Sequence, residues 1–151
     1  MNKRIIMVLT CSMLVVTLCA QTSLNALYNE FAGELNASTV NLNGLAMMMG
    51  KPFLEKHSDS KISDIRVLSL DECTKEVKDR FNEQALRFMD KRYELFVSSN
   101  EPDEKVRIFL KFQDNMIREM VIITMGDTPE LVLLKGKIKP SDIENLGNGG
   151  K

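Results

Sequence analysis

Apolar residues recur along this chain at two different spacings, and the change between them divides it. Leu24, Leu27, Tyr28 and Phe31 fall at i, i+3, i+4 and i+7, the single stripe of an amphipathic helix. Ser23 stands where an N-cap belongs and Gly33 where the helix has to stop. Ser38–Leu42 follows as a short strand, and Asn43 then caps a brief helix through Met49, with Gly50 and Pro52 beyond its end. Residues 51–61 are polar and predict a loop. Ile62–Leu70 is the next strand. Asp71 and Glu72 then mark the start of a long helix, where acids suit the dipole, and its apolar face carries Val77, Phe81, Ala85, Phe88 and Met89.

From Arg92 the period becomes two. Tyr93, Leu95 and Val97 alternate with polar residues, and Phe96 breaks the pattern. After a turn at residues 100–103, Val106, Ile108, Leu110 and Phe112 alternate with Arg107, Lys111 and Gln113, as in a strand with one buried face. Asp114 and Asn115 both tolerate positive φ and predict a two-residue hairpin turn. Met116–Met125 returns as a strand whose stretch Met120–Ile123 is apolar on both faces, as expected of a central, covered strand. After residues 126–129, Leu131–Ile138 makes the last strand. Lys135, Lys137 and Lys139 share one alternation there and predict a guarded sheet edge. Ser141–Glu144 caps a short final helix through Leu146, and residues 147–151 are a tail. Strands joined by short turns predict an α+β fold: a mostly antiparallel sheet, a strand meander in the C-terminal half, and helices packed on one face.

The N-terminus changes the composition that matters. Basic Met1–Arg4 precedes an uncharged apolar run, Ile5–Leu18, and Ala20–Gln21 offers a small-to-polar step, the layout of a secretory signal peptide. At about 1.5 Å per residue the run spans about 21 Å, short of the ~30 Å hydrocarbon core, so a membrane anchor fits it less well. Two processing routes stay open: cleavage between Ala20 and Gln21, or lipid attachment at Cys19. The expected organisation is a signal at 1–20, one α+β domain at 21–146 and a tail at 147–151. Loss of the signal takes Lys3 and Arg4 from 20 basic residues set against 21 acidic ones. It also takes Cys11 and Cys19, so Cys73 alone remains and no internal disulfide is possible. The hydrophobic share of 44% and charged share of 27% exclude a disordered chain.

Candidate chemistry is sparse. His57, in a polar loop, is the only histidine of the chain, so neither a hydrolase triad nor a metal site with several imidazoles is expected within one chain. Neither a Gly-rich phosphate loop nor a C-x-x-C pair occurs. Cys73 at a helix start invites a lowered thiol pKa, but Asp71 and Glu72 beside it oppose the thiolate. His57 with Asp59, or with Asp71 and Glu72, makes only a scattered metal-ligand set, and Glu101, Asp103 and Glu104 belong to a turn. Met47, Met48 and Met49 point around a short helix, as a buried element or as an adaptable patch facing a partner or lipid. The Lys135, Lys137 and Lys139 stripe lacks the interleaved aromatics that nucleic-acid binding uses.

Three segments, Ser23–Gly33, Asp64–Glu72 and Leu133–Leu146, together resemble the bacterial domain-of-unknown-function family 4252. The resemblance covers nearly all of the chain after the signal. It implies a small exported protein of a Gram-negative envelope, sometimes lipid-anchored, and carries over no catalytic residue. The function expected is therefore a non-enzymatic periplasmic or envelope module that binds a protein or envelope component. It has no cofactor, no metal and no nucleic-acid partner, and meets a membrane peripherally only if Cys19 is lipidated. The alternative is a small-molecule-binding protein with a pocket between sheet and helices, and a carboxylate-only hydrolase is a third reading.

Overall fold

The computed structural model describes residues 23–43 and 61–147. The brief helix after Asn43, the 51–60 loop, the signal and the last four residues lie outside that range. Helix α1, Leu24–Ala32, is capped by Ser23, whose hydroxyl accepts from the Ala26 N–H at 3.2 Å, and it stops at Gly33. Strand β1, Ser38–Leu42, is antiparallel to β2, Lys61–Ser69. Helix α2, Lys75–Arg87, starts later than the acids at 71 and 72 suggest. Asp71 and Glu72 lie in a turn in which the Cys73 N–H donates to the Leu70 carbonyl, and Thr74 is the N-cap, its hydroxyl accepting from the Val77 N–H. The helix also ends earlier. Phe88 leaves it with ψ 125° yet stays buried, and Met89 swings out to 71% exposure instead of joining the apolar face.

Four strands then run back and forth: β3, Glu94–Asn100; β4, Glu104–Gln113; β5, Met116–Gly126; β6, Glu130–Ile138. Asp114 and Asn115 take φ of 53° and 59° in the β4–β5 turn, the mirror-image conformation that matches strand twist. Helix α3, Pro140–Gly147, closes the described chain, with Pro140 at its first position, so Ser141 lies inside the helix instead of capping it.

All six strands form one antiparallel sheet in the order β1-β2-β6-β5-β4-β3. The last strand is therefore not an edge: β2 pairs along one side of β6 and β5 along the other. The expectation that its lysines guard an edge is corrected by that long-range pairing, and the edges are β1 and β3. Phe96, the break in the alternating pattern, lies in a β-bulge between Leu95 and Val97. The extra residue sets Leu95 opposite Phe109 and Val97 opposite Ile108, on different faces.

Helices α1 and α2 pack on one face. Leu24, Leu27 and Phe31 of α1 and Phe81 and Ala85 of α2 meet Leu68, Phe109, Val121, Ile123, Leu131 and Leu133 of the sheet. Phe31 and Phe81 meet edge to face at 5.1 Å, and Phe88 meets Phe109 in the same way at 5.2 Å. The Asn82 amide donates to the Gly126 carbonyl at 3.0 Å and its oxygen accepts from the Gly126 N–H at 3.2 Å, tying α2 to the end of β5.

Gly136 faces Ile62 where β2 and β6 pair, and a Cβ there would collide with the Lys61 carbonyl oxygen. Glycine lets the two backbones approach. Gly136→Ala is expected to lower unfolding free energy by at least about 2 kcal/mol in urea titration; an unchanged midpoint would mean that the β2–β6 junction is not tightly seated.

Candidate interaction surface

Because side chains alternate along a strand, the register that buries Leu68, Leu131 and Ile123 beneath the helices sends their neighbours to the other side. Pair by pair, Val40, Val67, Val132, Ile122, Ile108 and Val97 stand opposite one another in an unbroken row across all six strands. A second row, Leu42, Ile65, Leu134, Met120 and Leu110, lies next to it and ends on Glu94. At about 4.8 Å per strand the rows are about 24 Å long, and they stand about 7 Å apart.

Among the described residues little covers this second face. Ile143 of α3 packs with Leu110, Ile117, Met120 and Ile138 at one end. Of the first row, Ile108 and Ile122 pack against that cluster; five of its members are half-buried and Val40 is 45% exposed. Met120–Ile123 is thus apolar on both faces as its sequence suggests, but only Val121 and Ile123 are roofed by the long helices. Exposed apolar patches of this extent mark contact surfaces more often than ordinary solvent-facing surface.

The helix side holds two half-open grooves beside β3 and β4. One of about 370 Å³ is lined by Asn82, Leu86, Pro102 and Met125 among others, and one of about 390 Å³ by Met89, Tyr93, Leu95, Arg107 and Phe109 among others. Asp90, Tyr93 and Arg107, which line the second groove, are already engaged. Arg107 donates from Nη1 to the carbonyls of Ala85, Leu86 and Phe88 at 2.9–3.0 Å and lies over the Phe109 ring at 4.7 Å, closing the C-terminus of α2. The Tyr93 hydroxyl donates to Glu119, which also accepts from Lys111 Nζ at 3.1 Å. Burial pushes the Glu119 carboxyl up, but Tyr93, Lys111 and Lys135 together hold it below its ordinary value. Burial and the same Glu119 push the Tyr93 hydroxyl well up.

Asp64, Lys135, Glu119 and Lys111 form an alternating row of charge across β2, β6, β5 and β4 on the helix side, past the helices. Lys135 thereby stands beside a half-buried carboxylate inside the sheet. Asp90 accepts from Arg92 Nε at 3.0 Å, from Arg92 Nη2 at 2.7 Å and from the Arg92 N–H at 3.0 Å. Those bonds, the Leu24 N–H and the neighbouring charge hold its carboxyl at about 2 against the opposing effect of burial.

Of the residues singled out in the sequence, Ala20, Gln21, Cys19, Met47, Met48, Met49, His57 and Asp59 lie outside the described residues. Cys73 is buried, one residue before the N-cap and not inside the helix, with Sγ donating to the Leu35 carbonyl at 3.5 Å. Burial and then Glu34 raise its pKa, against Lys78, so the helix start does not activate this thiol. Among the described residues no group of three His, Cys, Asp or Glu side chains is placed to hold a metal ion, and no helix is long and apolar enough to cross a membrane. The apolar row was not singled out from sequence, although Ile122 and Val132 sit on strands with apolar residues on both alternations.

A family described as a domain of unknown function (DUF4252) matches residues 28–146, and the chain belongs to it. No curated protein and no solved structure matches the chain.

Two titrations check this assignment of roles. An unfolded Asp titrates near ~3.9, and folded Asp90 near about 2. The depressed folded value means stability that is present above the unfolded pKa and is lost as pH falls towards 2. Asp90→Asn should therefore lower the urea midpoint at neutral pH by an amount that shrinks as the pH drops from about 4 to about 2; a deficit constant with pH would contradict the ion pair. Thiol labelling of Cys73 should show a midpoint above that of the denatured chain, and a midpoint at or below it would restore the idea of an activated thiol.

Proposed function

We propose that this DUF4252 protein is a non-enzymatic, exported interaction module that holds a partner of the cell envelope on the bare face of its sheet. The observation that carries this reading is the row from Val40 to Val97, apolar at six positions of six and partly or largely exposed at each of them among the described residues. Burying such a row releases about 25 cal/mol for each Å² of apolar surface removed from water, so a partner that covers it has a ready source of affinity. The signal-like Met1–Gln21 segment supports export to a periplasm or outer envelope, in soluble form or held by lipid on Cys19.

The alternative, a small-molecule protein, draws on the 390 Å³ groove beside Tyr93 and Arg107. Ligand pockets need a few polar groups aimed at the ligand. Here Arg107 serves three main-chain carbonyls, Tyr93 serves Glu119 and Asp90 serves Arg92, so the docking role is the better supported.

The test is site-specific photocrosslinking in the host cell, with the probe placed at Val40, Val97 or Ile122 on the bare face, or at Glu76 or Gln84 on α2. Adducts of one defined mass from the three face positions and none from α2 are expected. Adducts from α2 alone, or none from the face, would overturn the docking role.

A further inference from the structure

We infer that the occupant of the bare face is an amphipathic helix of a partner protein, apolar along one stripe and cationic along its flanks. This rests on the docking role proposed above and adds the partner's shape and charge. The backbone groups of β2, β6, β5 and β4 are committed to ladders on both sides, so this face offers no main-chain donor or acceptor. An extended segment laid on it would bury its own N–H and C=O groups without partners, whereas a helix satisfies them internally. Helix α3 already shows the mode, with Ile143 seated on Leu110, Ile117, Met120 and Ile138. A second helix beside it, about 16 residues long at about 1.5 Å per residue, matches the width of six strands.

The perimeter supplies the sign. Glu94 ends the second row, Glu130 lies in the row Ser38, Ser69, Glu130, Thr124, Val106 and Ser99, and Glu104 stands beyond Val106 on β4. The strand-paired positions of this face hold no Lys or Arg, and Arg118, at the β5 irregularity, is ion-paired with Asp114 at 3.7 Å. None of the three glutamates forms an ion pair among the described residues. An anionic membrane surface meets this rim with repulsion, and so does a second copy stacked face to face, which brings acid against acid. Lys or Arg flanking an apolar stripe meets it with attraction.

The experiment uses the purified protein as its host processes it and two synthetic 18-residue helical peptides with the same leucine stripe. One has Lys on its flanks and the other Glu, and binding is read by fluorescence anisotropy at low salt. The Lys-flanked peptide is expected to bind at least about 10-fold more tightly, with the preference fading as salt rises. In E94K/E104K/E130K, which changes only rim side chains, the preference should reverse. Equal binding of both peptides, lost in V40D/V97D with an unchanged circular dichroism spectrum, would overturn the charge inference and leave the docking face standing. Binding indifferent to V40D/V97D, or no binding of either peptide, would overturn the helix as occupant, and crosslinking from the face would then decide separately whether the surface docks anything. A dimer in sedimentation equilibrium that V40D/V97D abolishes would replace the partner helix by a second copy.

Discussion

Burial of Leu68, Leu131, Leu133, Val121 and Ile123 beneath α1 and α2 fixes the register of every strand they belong to, and the rest of the structure follows from that register. A slip of one residue in β5 would expose Val121 and Ile123 and bring Met120, Ile122 and Thr124 beneath the helices in their place. The slip is doubly opposed, because Glu119 would leave both Tyr93 and Lys111. The same alternation that roofs one face lines up Val67, Val132, Ile122 and Ile108 on the other. The bare row is thus not an independent feature of the surface, since it is the reverse side of the core.

Polar chemistry in this fold is spent on fastening. Arg107 closes the C-terminus of α2, Asp90 joins Arg92 to the start of α1, and Asn82 ties α2 to Gly126. Lys135, Glu119 and Lys111 carry charge across three neighbouring strands. Groups so engaged hold elements in place, even where, like Arg107 and Asp90, they border a groove. What the surface offers instead is shape and apolar area, which are the currency of protein recognition.

Local signals in the sequence were legible because their physics is local. Ser23 and Gly33 bound α1 as their capping chemistry requires, and Asp114-Asn115 makes the hairpin turn. Val106, Ile108, Leu110 and Phe112 of β4 share a face as their alternation indicates, but it is the face away from α1 and α2, where Phe112 is 42% exposed, and Phe109 is the residue buried beneath the helices. Phe96 stood out as a break in period before it could be seen as a bulge. Long-range pairing was not legible: nothing near Lys135 announces that β2, more than sixty residues earlier, will close the far side of β6. For the same reason the lysines looked like an edge guard. The start of α2 at Lys75 was misjudged because Asp71 and Glu72 satisfy the dipole preference, while Thr74 supplies the hydrogen bond that sets the boundary. The candidate face needed both the alternation, which is visible, and the knowledge that among the described helices α3 is the one that packs on that side, which is not.

The central claim is that the row from Val40 to Val97 is covered when the protein is at work and bare when it is alone. Carbene footprinting reads this directly, by comparing Val67, Ile122 and Val132 in intact cells with the same residues in the purified protein. The account predicts strong labelling of the three in the purified protein and clear protection in cells, with the exposed surface of α2 labelled equally in both. Equal labelling of the three residues in the two settings would contradict it.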